Sequence, residues 1–479
     1  MNPTHILILI AGYFGLLMVI SFLTNKGGSN SDFFKAGNRS PWYVVAFGMI
    51  GATLSGVTFI SVPGWIEASA FSYFQMVLGY TVGYAVIGLV LMPLYYRLNL
   101  TSIYTYLEGR FGEKSYKTGA SFFLLSRIVG ASFRLYLVSN VLQELVFNQM
   151  DVPFWITVSI TILLIWLYTF KSGIKTIVWT DTLQTLFMLI AVGVAVWIIS
   201  TDMGLSFSGV MNLIAESDYS QIFFFDDWKD DKYFFNRFLS GAFIAIVMTG
   251  LDQDMMQKNL TCRSTKDAQK NMFWFTIVLT VVNFVFMALG LLLTVYAANN
   301  GIDAHKDQLF PILATNADLG FGIAAFFILG LIAATYSSAD SALTALTTSF
   351  SIDILDIEKK YSPEQQIKIR KKVHIGISIV LLIVIIAFKY LVADESVIAK
   401  LFTWTGYTYG PLLGLYAFGL FSKWKVKDNL VPYIAIGAPI LGYIISVLSL
   451  KYIGLNWGFF ILILNGLLTY LGLVLIRSK

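Results

Sequence analysis

The stretch "LIAATYSSADSALTALTTSF", residues 331–350, has the length of a membrane-spanning helix and yet carries hydroxyls and a carboxylate in its middle. Asp340 lies at its centre, in a chain whose residues are 57% hydrophobic. An aspartate in the middle of a bilayer costs about 2.5–3.5 kcal/mol on insertion scales, so it is expected to face a polar interior and to have a partner. The stretch therefore predicts a polar site buried inside a membrane protein.

The hydroxyls of this stretch share a helical face with the acid. Ser337, Asp340, Ser341 and Thr344 follow three- and four-residue steps, which place side chains on one side of a helix. Hydroxyl, carbonyl and carboxylate oxygens are the hard ligands that a small cation takes. Considered by themselves, the serine hydroxyls are better explained by hydrogen bonds to the carbonyls four residues back in the same helix. On that interpretation Asp340 could be a structural buried acid. With the serines and the acid together, we favour a cation site.

The rest of the chain has the composition of a membrane protein. Only 13% of its 479 residues are charged, and its mean hydropathy is +0.72. About 20 helical residues cross the bilayer hydrocarbon, and about thirteen apolar runs reach that length. They are continuous rather than alternating, which predicts an all-α integral membrane protein instead of a barrel. The runs lie at about 5–23, 42–69, 73–97, 118–147, 153–170, 176–200, 236–256, 272–298, 321–350, 373–391, 399–421, 430–450 and 455–475.

Basic residues between these runs fall mostly on one side of the predicted membrane. Loops 97–117, 258–270 and 359–372 are rich in Lys and Arg, whereas loop 201–235 contains the acidic run "FFFDDWKDDK". The positive-inside rule therefore predicts an N-terminus outside the cell and a C-terminus in the cytoplasm. A nucleic-acid-binding patch is the alternative, and the even spread of basic residues over one face of the spans disfavours it.

Two of the predicted spans are interrupted by glycines and hydroxyls. The second contains "GMIGATLSGVTFISVPG", residues 48–64, and the seventh contains "LSGAFIAIVMTGLDQD", residues 239–254. Such clusters weaken a helix and expose carbonyls, which a membrane tolerates only where they line a cavity. The two interrupted spans lie five apart, a pattern that points to an inverted-repeat secondary transporter. Close packing of helices through small residues is the alternative explanation of the glycines.

A second acid lies within the sixth predicted span. Asp181 stands in "SGIKTIVWTDTLQTLFML", residues 172–189. Two acids buried in different helices should repel unless a cation or proton lies between them, or each has its own partner. Asp181 and Asp340 together therefore indicate an ion-coupled or proton-coupled protein.

The fourth predicted span holds two arginines in "LLSRIVGASFRLYLVSNVLQ", residues 124–143. Arg127 and Arg134 are seven residues apart and share a helical face. Either could bind the carboxylate of an anionic solute. Alternatively they pair with Asp181 or Asp340, or Arg127 reaches towards the cytoplasmic surface. No catalytic triad, zinc or phosphate-loop spacing occurs, so we do not expect an enzyme.

Five motifs in order resemble the sodium/solute symporter family, whose inverted-repeat fold is shared with the bacterial leucine transporter. They are "DFFKAGNRSPWYVVAFGMIGATLSGVTFISVPG" (32–64), "MPLYYRLNLTSIYTYLEGRFG" (92–112), "SGIKTIVWTDTLQ" (172–184), "SSADSAL" (337–343) and "GYTYGPLLGLYAFGLF" (406–421). The motifs are most similar to the multivitamin, iodide, monocarboxylate and sialic-acid branches. The resemblance runs over most of the chain and is far more specific than any single motif.

The resemblance implies one transmembrane transporter domain, residues 1–479, built as a five-plus-five inverted repeat. The extra helix would be about 5–23, the first repeat about 42–200, the second repeat about 236–421 and the final two helices about 430–475. It also implies a sodium site between the interrupted second span and the helix of the opening stretch. Its ligands would be the carbonyls of Gly51, Leu54 and Ala334 and the hydroxyls of Ser337 and Ser338.

Some family members hold a second sodium ion. The matching positions here are Asp181, Ser337, Asp340 and Ser341. Asp340 is a departure, because members with a second sodium have a serine there. The resemblance thus leaves open whether Asp340 strengthens this site or converts it into a proton site or a structural site.

The resemblance also assigns positions that line a solute pocket. They are Thr53, Ser55 and Thr58 in the interruption and Gln75 in the next helix. Sugar-carrying members have asparagine and tyrosine where this chain has Ala245 and Met248, which argues against a galactose-like pocket. The arginine of sialic-acid carriers would fall near Val129, so neither Arg127 nor Arg134 matches it cleanly.

We therefore expect a sodium-coupled symporter of the plasma (inner) membrane that imports a small polar solute by alternating access. Carboxylates such as a sialic acid, a monocarboxylate or a vitamin fit best, and a sugar or polyol is the alternative. Its partners would be the solute, one or two sodium ions and the lipid bilayer, with no nucleic acid and no obligatory protein partner. A solute sensor or a channel with a transporter-like fold is the rival of another class.

Overall fold

The computed structural model describes residues 3–24, 30–170, 173–315, 319–391 and 397–478. Helices make up nearly all of this part of the chain. The helices of its first half are α1 Pro3–Thr24, α2 Asn30–Lys35, α3 Trp42–Leu54, α4 Gly56–Gly64, α5 Ile66–Ser69, α6 Tyr73–Val86, α7 Met92–Arg97, α8 Thr105–Arg110, α9 Glu113–Leu142, α10 Phe154–Thr169, α11 Ile174–Asp202 and α12 Phe207–Glu216.

The second half continues with helices of the same kind and ends in a two-stranded ribbon. Strands β1 Lys425–Val426 and β2 Arg477–Ser478 pair antiparallel and join the segment after α20 to the end of the chain. The helices are α13 Phe234–Ala245, α14 Gln253–Asn259, α15 Thr265–Asn299, α16 Leu309–Thr315, α17 Gly320–Ser349, α18 Ile357–Lys360, α19 Pro363–Leu391, α20 Val397–Phe421, α21 Val431–Ile453 and α22 Ile461–Leu475.

Within the described residues, 9 helices are long and apolar enough to cross a membrane. Two bent pairs, α3 with α4 and the α13 segment with α14, also qualify when each pair is taken as one span, which gives up to 11. The other two predicted spans fall on α10, a shorter apolar helix, and on α20. The helical membrane architecture is thus confirmed, while the full count of thirteen stays a prediction.

The first interruption lies at Ser55, between α3 and α4. The two helices meet at a bend of 54°, and Ser55 has φ 26 and ψ 169, a conformation that residues other than glycine rarely adopt. Two glycines let this bend pack against its neighbours. A Cβ on Gly51 would collide with the Thr185 hydroxyl of α11, and a Cβ on Gly56 would collide with the Thr335 hydroxyl of α17.

The second interruption follows α13. A π-helical turn at Ile246–Gly250 ends the helix, and α14 starts after a bend of 69°. The Asp252 carboxylate caps α14 by accepting from the backbone N–H groups of Asp254 and Met255, at 2.9 and 3.4 Å. Every residue of α14 is buried. The chain therefore turns back into the protein at this point.

The centre of the bundle is formed by α3, α4, α11 and α17. Helix α11 packs along α17 and also contacts α3, while α17 contacts both α3 and α4. Helices α9 and α14 pack against α17 from other sides. The bent pair is therefore enclosed by the helices that carry Asp181 and Asp340.

Candidate functional site

The first site lies where α17 meets the interruption at Ser55. The Ser338 hydroxyl donates to the carbonyl of Ala52 at 2.9 Å and approaches that of Ala334 at 3.4 Å. The carbonyl of Gly51 accepts the N–H of Ser55 at 3.2 Å. The structure therefore places Ala334 and Ser338 of α17 against the segment that contains Gly51 and Leu54.

Ser337 faces a different helix. Its hydroxyl donates to Oδ1 of Asp181 at 2.7 Å, across the contact between α17 and α11. A hydroxyl whose proton is engaged by a carboxylate still has lone pairs that accept a cation. Ser337 thus contacts the predicted second-site acid of α11, whereas the neighbouring Ser338 contacts the interruption.

The other oxygen of Asp181 faces a lysine. Nζ of Lys258 in α14 lies 2.7 Å from Oδ2 of Asp181, and both side chains are 1% exposed. The sequence placed Lys258 in a cytoplasmic loop, and the structure corrects this assignment, because the bend after Gly250 carries α14 into the interior. The interrupted "MTGLDQD" run, 248–254, was the only signal in the sequence that this segment could turn inward.

Asp340 pairs with neither arginine. Its Oδ2 accepts a hydrogen bond from the Tyr168 hydroxyl at 2.8 Å. Its Oδ1 has no hydrogen-bond partner among the described residues, and the hydroxyl of Ser341 has none there either. Asp340 lies close enough to Asp181 and Lys258 to interact electrostatically with both. The predicted second-site residues thus come together, with a lysine ammonium among them.

A cavity of about 80 Å³ adjoins the interruption. This is room for several water molecules, since one needs about 10–15 Å³ by this measure. Thr53, Ser55 and Thr58, which the resemblance assigned to a solute pocket, line it. Its wall also includes Ala245 and Met248, Arg127 and Arg134 of α9, and the tyrosines 73, 80 and 84 of α6.

Gln75 is not among the residues that line this cavity. Its amide nitrogen donates to the carbonyl of Lys232 at 2.8 Å, and its Oε1 accepts from the N–H of Phe224 at 3.4 Å. Both partners belong to the loop between α12 and α13. In this structure Gln75 therefore holds that loop against α6.

Sequence reasoning missed the tyrosines of the cavity. Tyr73 and Tyr80 are about two turns of α6 apart, and their hydroxyl oxygens are 3.2 Å from each other. Their seven-residue spacing, continued by Tyr84 four residues later, indicates a common helical face. That pattern was available in the sequence, but only the packing shows that the face borders a cavity.

The two arginines of α9 differ in their surroundings. Arg127 forms an ion pair with Asp254 of α14, and Oδ2 of Asp252 lies 3.7 Å from its NH1. Arg134 is 8% exposed, and no ion pair or hydrogen bond joins its guanidinium to the described residues. Arg127 is thus a structural partner, and Arg134 is a cation that borders the cavity and forms no ion pair within the described part of the chain.

We expect Asp254→Asn to destabilise the protein strongly, because it leaves the buried Arg127 charge with only the longer contact to Asp252. Breaking a buried pair costs about 3–5 kcal/mol. Glu108→Gln is the matched control, since Glu108 pairs with Lys359 at 3.0 Å where the two side chains are 35% and 66% exposed, and exposed pairs contribute about 0–1 kcal/mol. Free energies of unfolding measured by detergent denaturation of both variants test this. Equal losses would contradict the structural role of Arg127.

A sequence model described as the sodium:solute symporter family matches residues 33–426. The match confirms the resemblance that the five motifs indicated. Among curated proteins, the sodium/sialic acid symporter NanT of Aliivibrio fischeri is 26% identical over 442 residues, which cover 87% of this chain and 83% of that protein. The human sodium/iodide cotransporter is 24% identical, with 86% of this chain and 65% of that protein covered.

Solved structures show the same fold. A substrate-bound, outward-open Na⁺-coupled sialic acid symporter superposes with a TM-score of 0.81 at 23% identity, over 99% of both chains. A closed conformation of Mhp1, a nucleobase-cation-symport-1 family transporter with bromovinylhydantoin bound, superposes with a TM-score of 0.57 at 14% identity, over 94% of both chains. The chain thus shares its architecture with secondary transporters.

Proposed function

Because the chain belongs to the sodium:solute symporter family, it is a multi-pass, sodium-coupled membrane transporter, and we propose that its solute is a small organic carboxylate. The observation that carries this proposal is Arg134, a buried guanidinium that borders the cavity and has no ion-pair partner among the residues that the structure describes. A carboxylate would supply the missing charge and could accept two parallel hydrogen bonds from the guanidinium fork. Arg127 is less suitable because it already pairs with Asp254.

Polar groups of the interruption complement this arginine. Thr53, Ser55 and Thr58 border the same cavity, and the buried hydroxyl of Thr53 has no partner among the described residues. A buried hydroxyl without a partner costs free energy, which a solute oxygen would recover on binding. Relatives named for sialic acid and for monocarboxylates agree with an anionic solute. A sugar or polyol is less favoured, since Ala245 and Met248 make that part of the wall apolar.

We place the coupling sodium ion between the interruption and α17. Its ligands would be the carbonyls of Gly51, Leu54 and Ala334 and the hydroxyls of Ser337 and Ser338. Ser338 already bonds the carbonyl of Ala52, which keeps α17 close to the interruption. A sodium ion at this junction would hold the outward-open arrangement, and solute binding at the adjoining cavity would then let the core helices rock.

The proposed topology has thirteen membrane spans. The thirteen spans would comprise the extra helix, two inverted repeats of five and two final helices, with the N-terminus outside and the protein in the plasma (inner) membrane. The structure has bends at Ser55 and after Gly250, which would stand at matching positions of the two proposed repeats. Secondary transporters place their binding sites at such breaks.

Arg134→Gln should raise the KM for an anionic solute about 10- to 100-fold, because a hydrogen bond to a charged group contributes about 1.5–3 kcal/mol. Arg134→Lys, which keeps the charge but loses the fork, should fall between this variant and the wild type. Uptake of labelled sialic acid, lactate, pantothenate and galactose into proteoliposomes, with and without sodium, identifies the solute. Uptake of galactose alone, unaffected by Arg134→Gln, would refute the carboxylate proposal.

Replacing Ser337 and Ser338 together by alanine should abolish sodium-dependent uptake, because both hydroxyl ligands of the coupling ion are lost. Membrane insertion should be unaffected. The control is the double variant Thr276→Ala and Thr280→Ala on α15, whose hydroxyls bond only carbonyls of their own helix. Uptake of the labelled solute, measured at a series of sodium concentrations, tests this expectation. A serine double variant with wild-type sodium dependence would remove these residues from the site.

Cysteine labelling tests the topology. The native Cys262 is buried, so a Cys262→Ser protein provides a background without thiols. In that background, an impermeant maleimide added to intact cells should label Asp303→Cys and spare Lys266→Cys, and both positions are exposed in the structure. Inside-out vesicles should give the reverse result. Labelling of Lys266→Cys from outside would invert the proposed orientation.

A further inference from the structure

A lysine ammonium contacts one of the four oxygen-bearing side chains that resemble a second sodium site in this protein. Nζ of Lys258 lies 2.7 Å from Oδ2 of Asp181, at a point where both side chains are almost fully buried. The remaining oxygen of Asp181 accepts from Ser337. Each oxygen of the carboxylate that would be the charged ligand of a sodium ion therefore already faces a partner, a covalently attached cation at Oδ2 and a hydroxyl at Oδ1.

The position of Lys258 is fixed by the contacts of α14. The neighbouring Gln257 donates to the carbonyl of Phe34 at 2.8 Å and to the Thr348 hydroxyl at 3.1 Å. On the other side, Asp254 holds Arg127 of α9. These bonds set the register of α14 against α17 and point the following side chain, Lys258, at Asp181.

A sodium ion does not fit beside this ammonium. A sodium ion bound to Asp181 would share one carboxylate with the ammonium, and two cations at such a short distance repel in a low-dielectric interior. An ammonium has three donors and no acceptor, so it binds oxygens in the place of a small cation. Asp340, which interacts with the charges of both Asp181 and Lys258, supplies the second carboxylate of this group.

We infer that Lys258 is a resident cation that takes the place of a second sodium ion between Asp181 and Asp340, so that the transporter couples one sodium ion to each solute. This rests on the sodium site proposed above at the interruption. A tethered ammonium balances the buried acids without crossing the membrane. The solute gradient that the protein can sustain then depends on the first power of the sodium gradient and not on its square.

The test counts bound sodium ions and does not require the solute. Equilibrium binding of ²²Na⁺ to purified protein in nanodiscs, measured by scintillation proximity, should give one ion per wild-type chain. Lys258→Gln removes the ammonium and exposes Asp181, Ser337, Asp340 and Ser341 to the solvent cation. This variant should bind two ions, a twofold increase, and its sodium dependence of binding should become sigmoidal.

Two further variants distinguish the effect of the positive charge at position 258 from the effect of the side chain's shape. Lys258→Arg retains a positive charge and should bind one ion. The double variant Lys258→Gln with Asp181→Asn lacks both the ammonium and the charged ligand, and it should also return to one. The double variant is also a control for folding. Lys258→Gln alone leaves a buried carboxylate without its counterion, so this variant should need a sodium-containing buffer to remain monodisperse. The double variant should remain monodisperse without sodium.

The outcomes are distinct. Two ions on the wild type, or one on a monodisperse Lys258→Gln protein, would overturn the inference while leaving the sodium-coupled function intact. No bound ion on the wild type would overturn the proposed sodium site and this inference with it. If Lys258→Gln is lost in every buffer, sodium does not replace the lysine and the inference is also wrong.

Discussion

A helix that is interrupted inside hydrocarbon is the constraint on which the rest of this structure depends. Lipid offers no partner for a free carbonyl or N–H group, so protein or a bound ligand must supply one. At Ser55 the neighbouring helices supply it. The Ser338 hydroxyl bonds the carbonyl of Ala52, and the N–H of Gly51 donates to the Thr185 hydroxyl at 3.0 Å. The interruption, the proposed sodium site and the cavity are therefore parts of one feature.

The second interruption contributes charge instead of carbonyls. The short helix α14 enters the protein with an aspartate that pairs with Arg127 and a lysine that pairs with Asp181. Buried charges are costly unless they are paired, and the bend after Gly250 brings these partners into reach. One broken helix thus carries the carbonyls of the proposed sodium site near the bundle centre, and the other neutralises the acids and bases around it.

The charged side chain that remains without an ion-pair partner among the described residues then defines the proposed solute specificity. Asp340 has a tyrosine, Asp181 has a lysine and Arg127 has an aspartate. Among the ionic side chains around the cavity, Arg134 is the one for which the described residues offer no ion-pair partner. A solute that carries a carboxylate would complete the set. Sodium at the interruption and solute at Arg134 would then act on two sides of the same bend, which gives a physical basis for their coupling.

The sequence by itself determined the features that depend on neighbouring residues along the chain. Long apolar runs predicted the helices, and the glycine and hydroxyl clusters predicted the breaks at Ser55 and after Gly250. Only the tertiary structure decided which polar groups meet. It buried Lys258 against Asp181 and turned Gln75 to the loop at Lys232. Hydropathy averages over a window and assigns a short charged helix to a loop. An ion pair, by contrast, depends on distances between residues far apart in sequence, which are fixed only when the whole bundle packs.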